Sequence, residues 1–408
     1  LRLRESFTLT MWKPPALRTR LVQGGRPVES QYGSSRTVNM PVYRASTVLH
    51  ESMASLRETR RRRAEGERSF SYGTSGTPTT FALEDIVTEL EGGYRTRLVS
   101  SGLLAITLAF QAVLRPGDHV LITDSTYEPV RNFVRTWLTP MGIAHDYFPA
   151  DAEGLEQMIR PNTKLIWTEI PGSLLYEMQD LPAICRLARP RGILVGVDNT
   201  WASGILCRPL ELGADISILA GTKHIAGHAD VLLGTVTTNE ATWKRVNDMA
   251  SGLGLCVSSD DAYLALRGVR TMATRLPVHE RTALELATWL KAHPKVRTVF
   301  YPALPGDPGH AIWKRDFKGA CGLFSIELAT DQAGADRFVD GLTLFGIGAS
   351  WGGFESLVMP CNLPAARTAT DWSGRGPIIR LHAGLEDAAD LIADLTNVTP
   401  QTDPEARP

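Results

Sequence analysis

The sequence predicts an α/β protein in which a mostly parallel sheet is covered by helices on both faces and a smaller α+β domain follows. Three observations carry this prediction. Short apolar runs of strand length recur between helical or loop stretches from His119 to Val236. Such runs are apolar throughout rather than alternating, as strands buried on both faces are. From about residue 265 the pattern changes to a long helix followed by separate strands. The 408 residues, 43% of them hydrophobic, suffice for two or three domains.

The elements follow in order. Residues 1–75 are rich in Pro, Gly, Arg and Ser and read as an extended arm with one short helix; those before Met11 are given no structural role. The run Arg60–Arg63 lies within Glu58–Glu67, acidic at both ends, and reads as a solvated helix face rather than a nucleic-acid patch. Residues 76–265 form the large domain. Thr80–Leu90 is an amphipathic helix: Leu83, Ile86, Val87 and Leu90 share one face, and Gly92-Gly93 stops it. Arg97–Ser100 is a short strand, and Leu103–Leu114 a helix ended by Pro116-Gly117-Asp118. Strands then follow at His119–Thr123, Lys164–Glu169, Ile193–Asp198, Ile216–Ala220 and Leu232–Val236. Residues 266–408 form the small C-terminal domain. It has a helix over Val278–Ala292, strands at Val296–Tyr301, Leu323–Glu327 and Ile378–Leu381, and a last helix over Glu386–Leu395.

Composition excludes several function classes. A net charge of −1 draws the chain to neither nucleic acid nor a membrane. The longest apolar runs, such as Leu103–Leu114, are too short to span a bilayer. Five scattered cysteines, odd in number and without a C-x-x-C pair, argue against a disulfide framework. With no leader-like N-terminal stretch, they point to a reducing, cytoplasmic setting. His224, His228 and Asp230 have ligand-like spacing, but Gly227 intervenes and no further His or Cys cluster joins them, so no metal is expected. There is no P-loop, no G-x-S-x-G and no dinucleotide glycine fingerprint.

Four features carry chemistry. Lys223, in Ala220-Gly221-Thr222-Lys223-His224, follows an apolar strand; by spacing alone it reads first as a loop lysine. Burial would instead lower its pKa and make it a nucleophilic amine. Asp198 ends another apolar strand and needs a partner there, whether a ligand cation, a metal or a helix N-terminus. Ser100-Ser101-Gly102-Leu103 joins a strand to a helix start, where unpaired N–H groups hold phosphates. Arg380 lies inside a β run and offers its planar fork to a salt bridge or to a ligand carboxylate. An amine, an anion cradle, a buried carboxylate and a carboxylate clamp together meet the needs of a pyridoxal 5′-phosphate (PLP) enzyme.

The same residues sit in motifs that resemble the Cys/Met-metabolism PLP enzymes. These are Asp198-Asn199-Thr200-Trp201, Pro209-Leu210, Gly213-Ala214-Asp215, and Thr222-Lys223 followed by Gly227-His228 and Asp230. The resemblance runs from about Asn39 to Leu395 and implies the fold-type I PLP architecture. Pro171-Gly172-Ser173, Ser350-Trp351-Gly352-Gly353 with Glu355-Ser356, and Arg380-Leu381-His382 with Gly384-Leu385-Glu386-Asp387 resemble the bacterial cystathionine β-lyase branch. That resemblance implies β-elimination of L-cystathionine to homocysteine, pyruvate and ammonia, a step of methionine biosynthesis by transsulfuration. A related PLP enzyme acting on cysteine or another sulfur amino acid, by desulfhydration, γ-elimination or γ-replacement, stays open.

Residue roles are implied in the same way. Lys223 would be the Schiff-base lysine and proton shuttle, and Asp198 would pair with the pyridinium nitrogen. Ser101, Gly102, Leu103 and Thr222 would hold the phosphate, and Tyr127 would stack on the ring. Tyr72 would reach the phosphate of a neighbouring subunit, implying a homo-oligomer, commonly a dimer of dimers. Ser350, Trp351 and Arg380 would orient the carboxylate of a small amino-acid substrate. Three positions depart from the family pattern: Thr74 where Arg is common, Ala220 where Ser is common, and Ala349 where the β-lyase branch carries Tyr. The first two remove phosphate contacts and the third alters the substrate end.

Overall fold

A computed structural model describes residues 15–27 and 35–398. The segment before Met11 lies outside the described residues. Strands β1 (Arg95–Val99), β2 (His119–Thr123), β3 (Ala144–Phe148), β4 (Thr163–Glu169), β5 (Leu194–Asp198), β6 (Ile216–Ala220) and β7 (Gly234–Thr238) form one sheet in the order β1-β7-β6-β5-β4-β2-β3. The β3-β2-β4-β5-β6 pairings are parallel, and β7 runs antiparallel to both its neighbours. This is the mostly parallel sheet the sequence predicts. Alternate residues enter different cores: Val120, Ile122, Leu165 and Trp167 pack on one face, Leu121, Ile166, Val195 and Val197 on the other. Each fully buried apolar side chain of this size contributes ~1.5–3 kcal/mol.

A second sheet joins β8 (Val296–Phe300), β9 (Leu323–Leu328), β10 (Gly346–Ile347), β11 (Leu357–Cys361) and β12 (Ile378–His382) in the order β10-β11-β12-β9-β8. The smaller α+β unit is therefore present, with two more strands than the sequence pattern indicates.

Several boundaries move for local reasons. The helix expected at Thr80–Leu90 spans Pro78–Glu91, because Thr77 and Thr80 close a capping box and Pro78 is preset for a first turn; Gly92, at φ +67°, ends it in the left-handed region. The strand expected at Leu232–Val236 is Gly234–Thr238: Leu232 is exposed, and the threonines that replace it pair across strands, with Thr96 and Thr237 hydroxyls 2.8 Å apart. Among its described residues the N-terminal arm holds two α-helices, Leu17–Gln23 and Met53–Ala64, rather than one. The latter buries no residue, as a solvated face requires. The helix expected at Val278–Ala292 begins at Ser259 and runs to Lys291, unbroken through residue 265 and through Pro277. Its start is tied to the first sheet's helices by the Thr77 and Ser259 hydroxyls, 2.9 Å apart, and its later part packs on β8 and β9.

Candidate active site

The parallel strands end side by side, and their ends carry the candidate residues. Glu169 and Asp198 are register partners at the ends of β4 and β5. Lys223 lies in the turn just past the end of β6, its N–H donating to Ala220 O at 3.0 Å. Asp198 is buried, and its Oδ1 accepts from both the backbone N–H (3.0 Å) and the hydroxyl (2.5 Å) of Thr200. Burial pushes its carboxyl up to about 6, against the pull of the Thr200 donors and of Lys223. The Thr200 hydroxyl also accepts the Ala220 N–H at 2.9 Å, binding the ends of β5 and β6 together.

Lys223 Nζ donates to Ser350 Oγ at 2.8 Å and stands 5.2 Å from the Trp351 ring centroid. Burial, and then the nearby Arg380 charge, lowers its amine to about 8. Arg380 Nη2 donates to the carbonyls of Gly348 (3.3 Å), Ala349 (3.0 Å) and Ser350 (3.2 Å). The guanidinium thus shapes the loop that presents Ser350 and Trp351. Tyr127 is partly exposed; its backbone N–H donates to Glu169 Oε2 at 2.6 Å. Burial raises its phenol, with Glu169 and Asp198 acting in the same direction. A cleft lined by Glu169, Ser173, Asp198, Trp201, Trp351 and Arg380 opens between the two sheets.

Ser101 caps the helix Gly102–Val113, its Oγ accepting from Leu104 N–H at 3.2 Å. The first turn leaves the Gly102 and Leu103 N–H groups without intrahelical partners. Position 102 admits no side chain, since a Cβ there would come within 2.6 Å of Ala220 Cβ. The Thr222 hydroxyl accepts Leu233 N–H at 2.9 Å and lies 3.3 Å from Leu233 O. Tyr72 shares no hydrogen bond or ring contact with these residues. It forms an isolated bridge with Thr47, and its side chain is half exposed. Beside it, Arg97 donates to Thr74 O at 3.3 Å.

The residues fit PLP. The buried Asp198 carboxyl needs a cationic partner, the helix start offers N–H groups to a phosphate, and Lys223 is a depressed amine beside Trp351, which lines the cleft. Sequence reasoning missed Glu169 and Thr200. Their signal was position: Glu169 ends an apolar strand as Asp198 does, and Thr200 lies two residues beyond that carboxylate.

The description "Cys/Met metabolism PLP-dependent enzyme" matches residues 18–398. A cystathionine beta-lyase of Bordetella avium is 47% identical, covering 91% of this chain and 94% of its own length. The cystathionine beta-lyase of Escherichia coli K12 is 39% identical, over 93% of this chain and 97% of its own. Among solved structures, cystathionine gamma synthase of Xanthomonas oryzae pv. oryzae, in complex with aminoacrylate and cysteine, superposes with a TM-score of 0.83. It is 32% identical and covers 94% of this chain and 97% of that one.

Proposed function

Because the chain belongs to the Cys/Met-metabolism PLP-dependent enzymes, we propose that its cleft β-eliminates L-cystathionine, as a carbon–sulfur lyase giving homocysteine, pyruvate and ammonia. The observation that carries the reading is the depressed Lys223 amine bonded to Ser350 and close enough to the buried Asp198 for the two charges to act on each other. When bound, PLP supplies an aldehyde for amines and a ring that takes up the electrons left at Cα.

The chain's residues divide the remaining work. Lys223 Nζ would hold the cofactor's aldehyde and, once free, would take the substrate's Cα proton as general base. Its pKa of about 8 lets it exchange that proton near neutral pH. Asp198, its Oδ1 fixed by Thr200, would hold the proton on the cofactor's ring nitrogen. Ser101, the Gly102 and Leu103 N–H groups and the Thr222 hydroxyl would take the phosphate. Tyr127 covers one ring face. Ser350, Trp351 and Arg380 orient the substrate carboxylate, and the lysine ammonium returns a proton to the departing thiolate. Tyr72, exposed in one protomer, serves the phosphate of a second protomer, so the active unit is at least a dimer and is read as a dimer of dimers. No described helix is long and apolar enough to cross a membrane, and the described cysteines are free; both suit a cytoplasmic enzyme.

Ala349 favours a second reading. It stands next to Ser350, and its carbonyl accepts from Arg380, so a shortened side chain there alters the substrate end. Cysteine or another sulfur amino acid is the alternative substrate. Purified protein assayed on a panel of sulfur amino acids, with keto acids identified, tests both: pyruvate from cystathionine supports β-elimination, and 2-oxobutyrate overturns it. Lys223→Ala should lose at least ~10²-fold in turnover together with the visible absorbance of lysine-bound cofactor. Normal turnover in that variant would refute the role of Lys223.

A further inference from the structure

Tyr127 is 45% exposed, yet its backbone is held more firmly than that exposure requires. It is the N-cap residue of the helix Glu128–Phe133, with φ −50° and ψ 124°. The first N–H groups of an exposed helix start can be left to water. Here the Tyr127 N–H donates instead to Glu169 Oε2 at 2.6 Å. The turn that leads to Tyr127 is fixed as well. Thr126 N–H donates to Thr123 O at 3.1 Å, and Ser125 O accepts Ser173 N–H at 2.7 Å. Gly172 presses on the same turn, since a Cβ there would come within 2.5 Å of Ser125 Cβ. The end of β4 and the loop after it therefore grip residues 125–127 at two points, by a side chain and by a backbone N–H.

Glu169 is a costly acceptor for one backbone N–H. It ends β4 beside Asp198, its register partner on β5, and lines the cleft. Burial, and then the Asp198 charge, raises its carboxyl well above the ordinary range, so it is a neutral acid at physiological pH. A neutral carboxyl accepts through one oxygen and carries its proton on the other. Oε2 is the acceptor, because the Tyr127 N–H points to it. A hydroxyl or a water would serve the amide without a second acid beside Asp198. What a glutamate adds is reach, from the end of β4 to the turn that follows β2, the neighbouring strand. Fixing the N–H fixes the peptide plane before Tyr127, and with it the direction from which the ring hangs on its two side-chain torsions.

We propose that Glu169 is a positioning residue: through the Tyr127 N–H it aims the Tyr127 ring across the face of the cofactor. Neighbouring strand ends then carry one acid each, with separate tasks. Asp198 serves the cofactor's ring nitrogen, and Glu169 serves the residue that covers the ring. Glu169 itself needs no contact with cofactor or substrate for this, only an acceptor atom at the right distance from the β2 turn. This role rests on the reading that Tyr127 covers one ring face.

Two substitutions in the full chain separate reach from acidity. Glu169→Gln keeps an acceptor in place and removes the acid; Glu169→Asp keeps the acid and draws the acceptor back by one methylene. Deuterium exchange of the Tyr127 N–H should speed up in Glu169→Asp and stay at the wild-type rate in Glu169→Gln. The visible circular dichroism of the holoenzyme, which reports how the bound ring is held, should weaken per bound cofactor in Glu169→Asp. PLP affinity, from titration of the resolved protein, should fall about tenfold there, as for a lost ring contact. Glu169→Gln should keep both. Losses in Glu169→Gln, or none in Glu169→Asp, overturn the proposal. If Glu169→Asp does not fold, Glu169→Leu, which has no acceptor, takes its place. Non-additivity tests the route. Tyr127→Ala keeps the N–H and removes the ring, so adding Glu169→Asp to it should change neither dichroism nor affinity further. A second loss as large as in the wild-type background overturns action through Tyr127. Tyr127→Ala alone separates the two levels. Unchanged dichroism and affinity there sink the ring-cover reading, whereas losses there with none in Glu169→Asp sink the role of Glu169 alone.

Discussion

Replacing Thr200 by Val keeps shape and removes one hydroxyl, and the structure gives the consequence in numbers. That hydroxyl donates to Asp198 Oδ1 at 2.5 Å and accepts the Ala220 N–H at 2.9 Å. A hydrogen bond to a charged group is worth ~1.5 kcal/mol or more, and a pKa unit corresponds to ~1.36 kcal/mol, so Asp198 should rise by about one unit. It stands at about 6 in the wild type, and in the variant it should reach ~7. In the proposed role, Asp198 must be ionised to hold the proton on the ring nitrogen. The ionised fraction at pH 6 would fall from ~1/2 to ~1/11, and at pH 8 it would hardly change. Cofactor affinity of the apoprotein should therefore drop about fivefold more at pH 6 than at pH 8. The unpaired Ala220 N–H should lower stability by ~1–3 kcal/mol at both pH values. Titrating apoprotein with PLP at the two pH values, followed by absorbance, isolates the electrostatic part, because the packing loss cancels in the ratio. An equal loss at pH 6 and pH 8 would refute the assignment of Asp198 as the ring-nitrogen partner.

Two further outcomes follow from buried groups. Glu91 is fully buried between Asn199 Nδ2, 3.1 Å from its Oε1, and the Ser217 hydroxyl, and burial pushes its carboxyl up to about 8. A folded pKa raised above the unfolded value of ~4.3 contributes stability that is present below ~4.3 and lost as pH rises through about 8. Glu91→Gln should abolish that decline, so urea midpoints of the two proteins diverge between pH 5 and pH 9; parallel curves would refute a protonated Glu91. Gly102→Ala should be overpacked against Ala220 by ~1–3 kcal/mol and weaken cofactor binding, and adding Ala220→Gly should restore much of both. Failure of that rescue, measured by thermal unfolding and PLP titration, would show that the two positions do not share one contact.

What the sequence made legible was whatever depended on neighbours along the chain. The helix Pro78–Glu91 announced itself by its apolar spacing and its glycine stop, and the buried strands by uninterrupted apolar runs. β3 stayed hidden because it is an edge strand reading Ala-His-Asp-Tyr-Phe, partly exposed on most of its length, so no apolar run marks it. The first half of the long helix stayed hidden because Gly268 and Pro277 read as breakers, while its burial against the helix Pro78–Glu91 outweighs their propensity. In the site, Lys223 and Asp198 could be proposed from strand ends and Arg380 from its place inside a β run. Glu169 and Thr200 are marked only by their positions at and just beyond strand ends; that Glu169 stands beside Asp198 and Thr200 joins two strands depends on register and packing.

The 33-residue helix Ser259–Lys291 also sets a limit on how the chain can vary in length. At ~1.5 Å per residue it is a rod of about 50 Å whose two ends belong to different sheets. Each residue inserted within it would turn everything beyond by ~100° and advance it by ~1.5 Å. An insertion before His279 would swing its ring away from the His382 ring on β12 and carry the rest of the helix out of step with β8 and β9. Surface loops can absorb added residues at small entropic cost, and the exposed face of the helix can change composition freely. The number of residues between Ser259 and His279 cannot change without dismantling the alignment of the two sheets, so this segment acts as a ruler for the cleft.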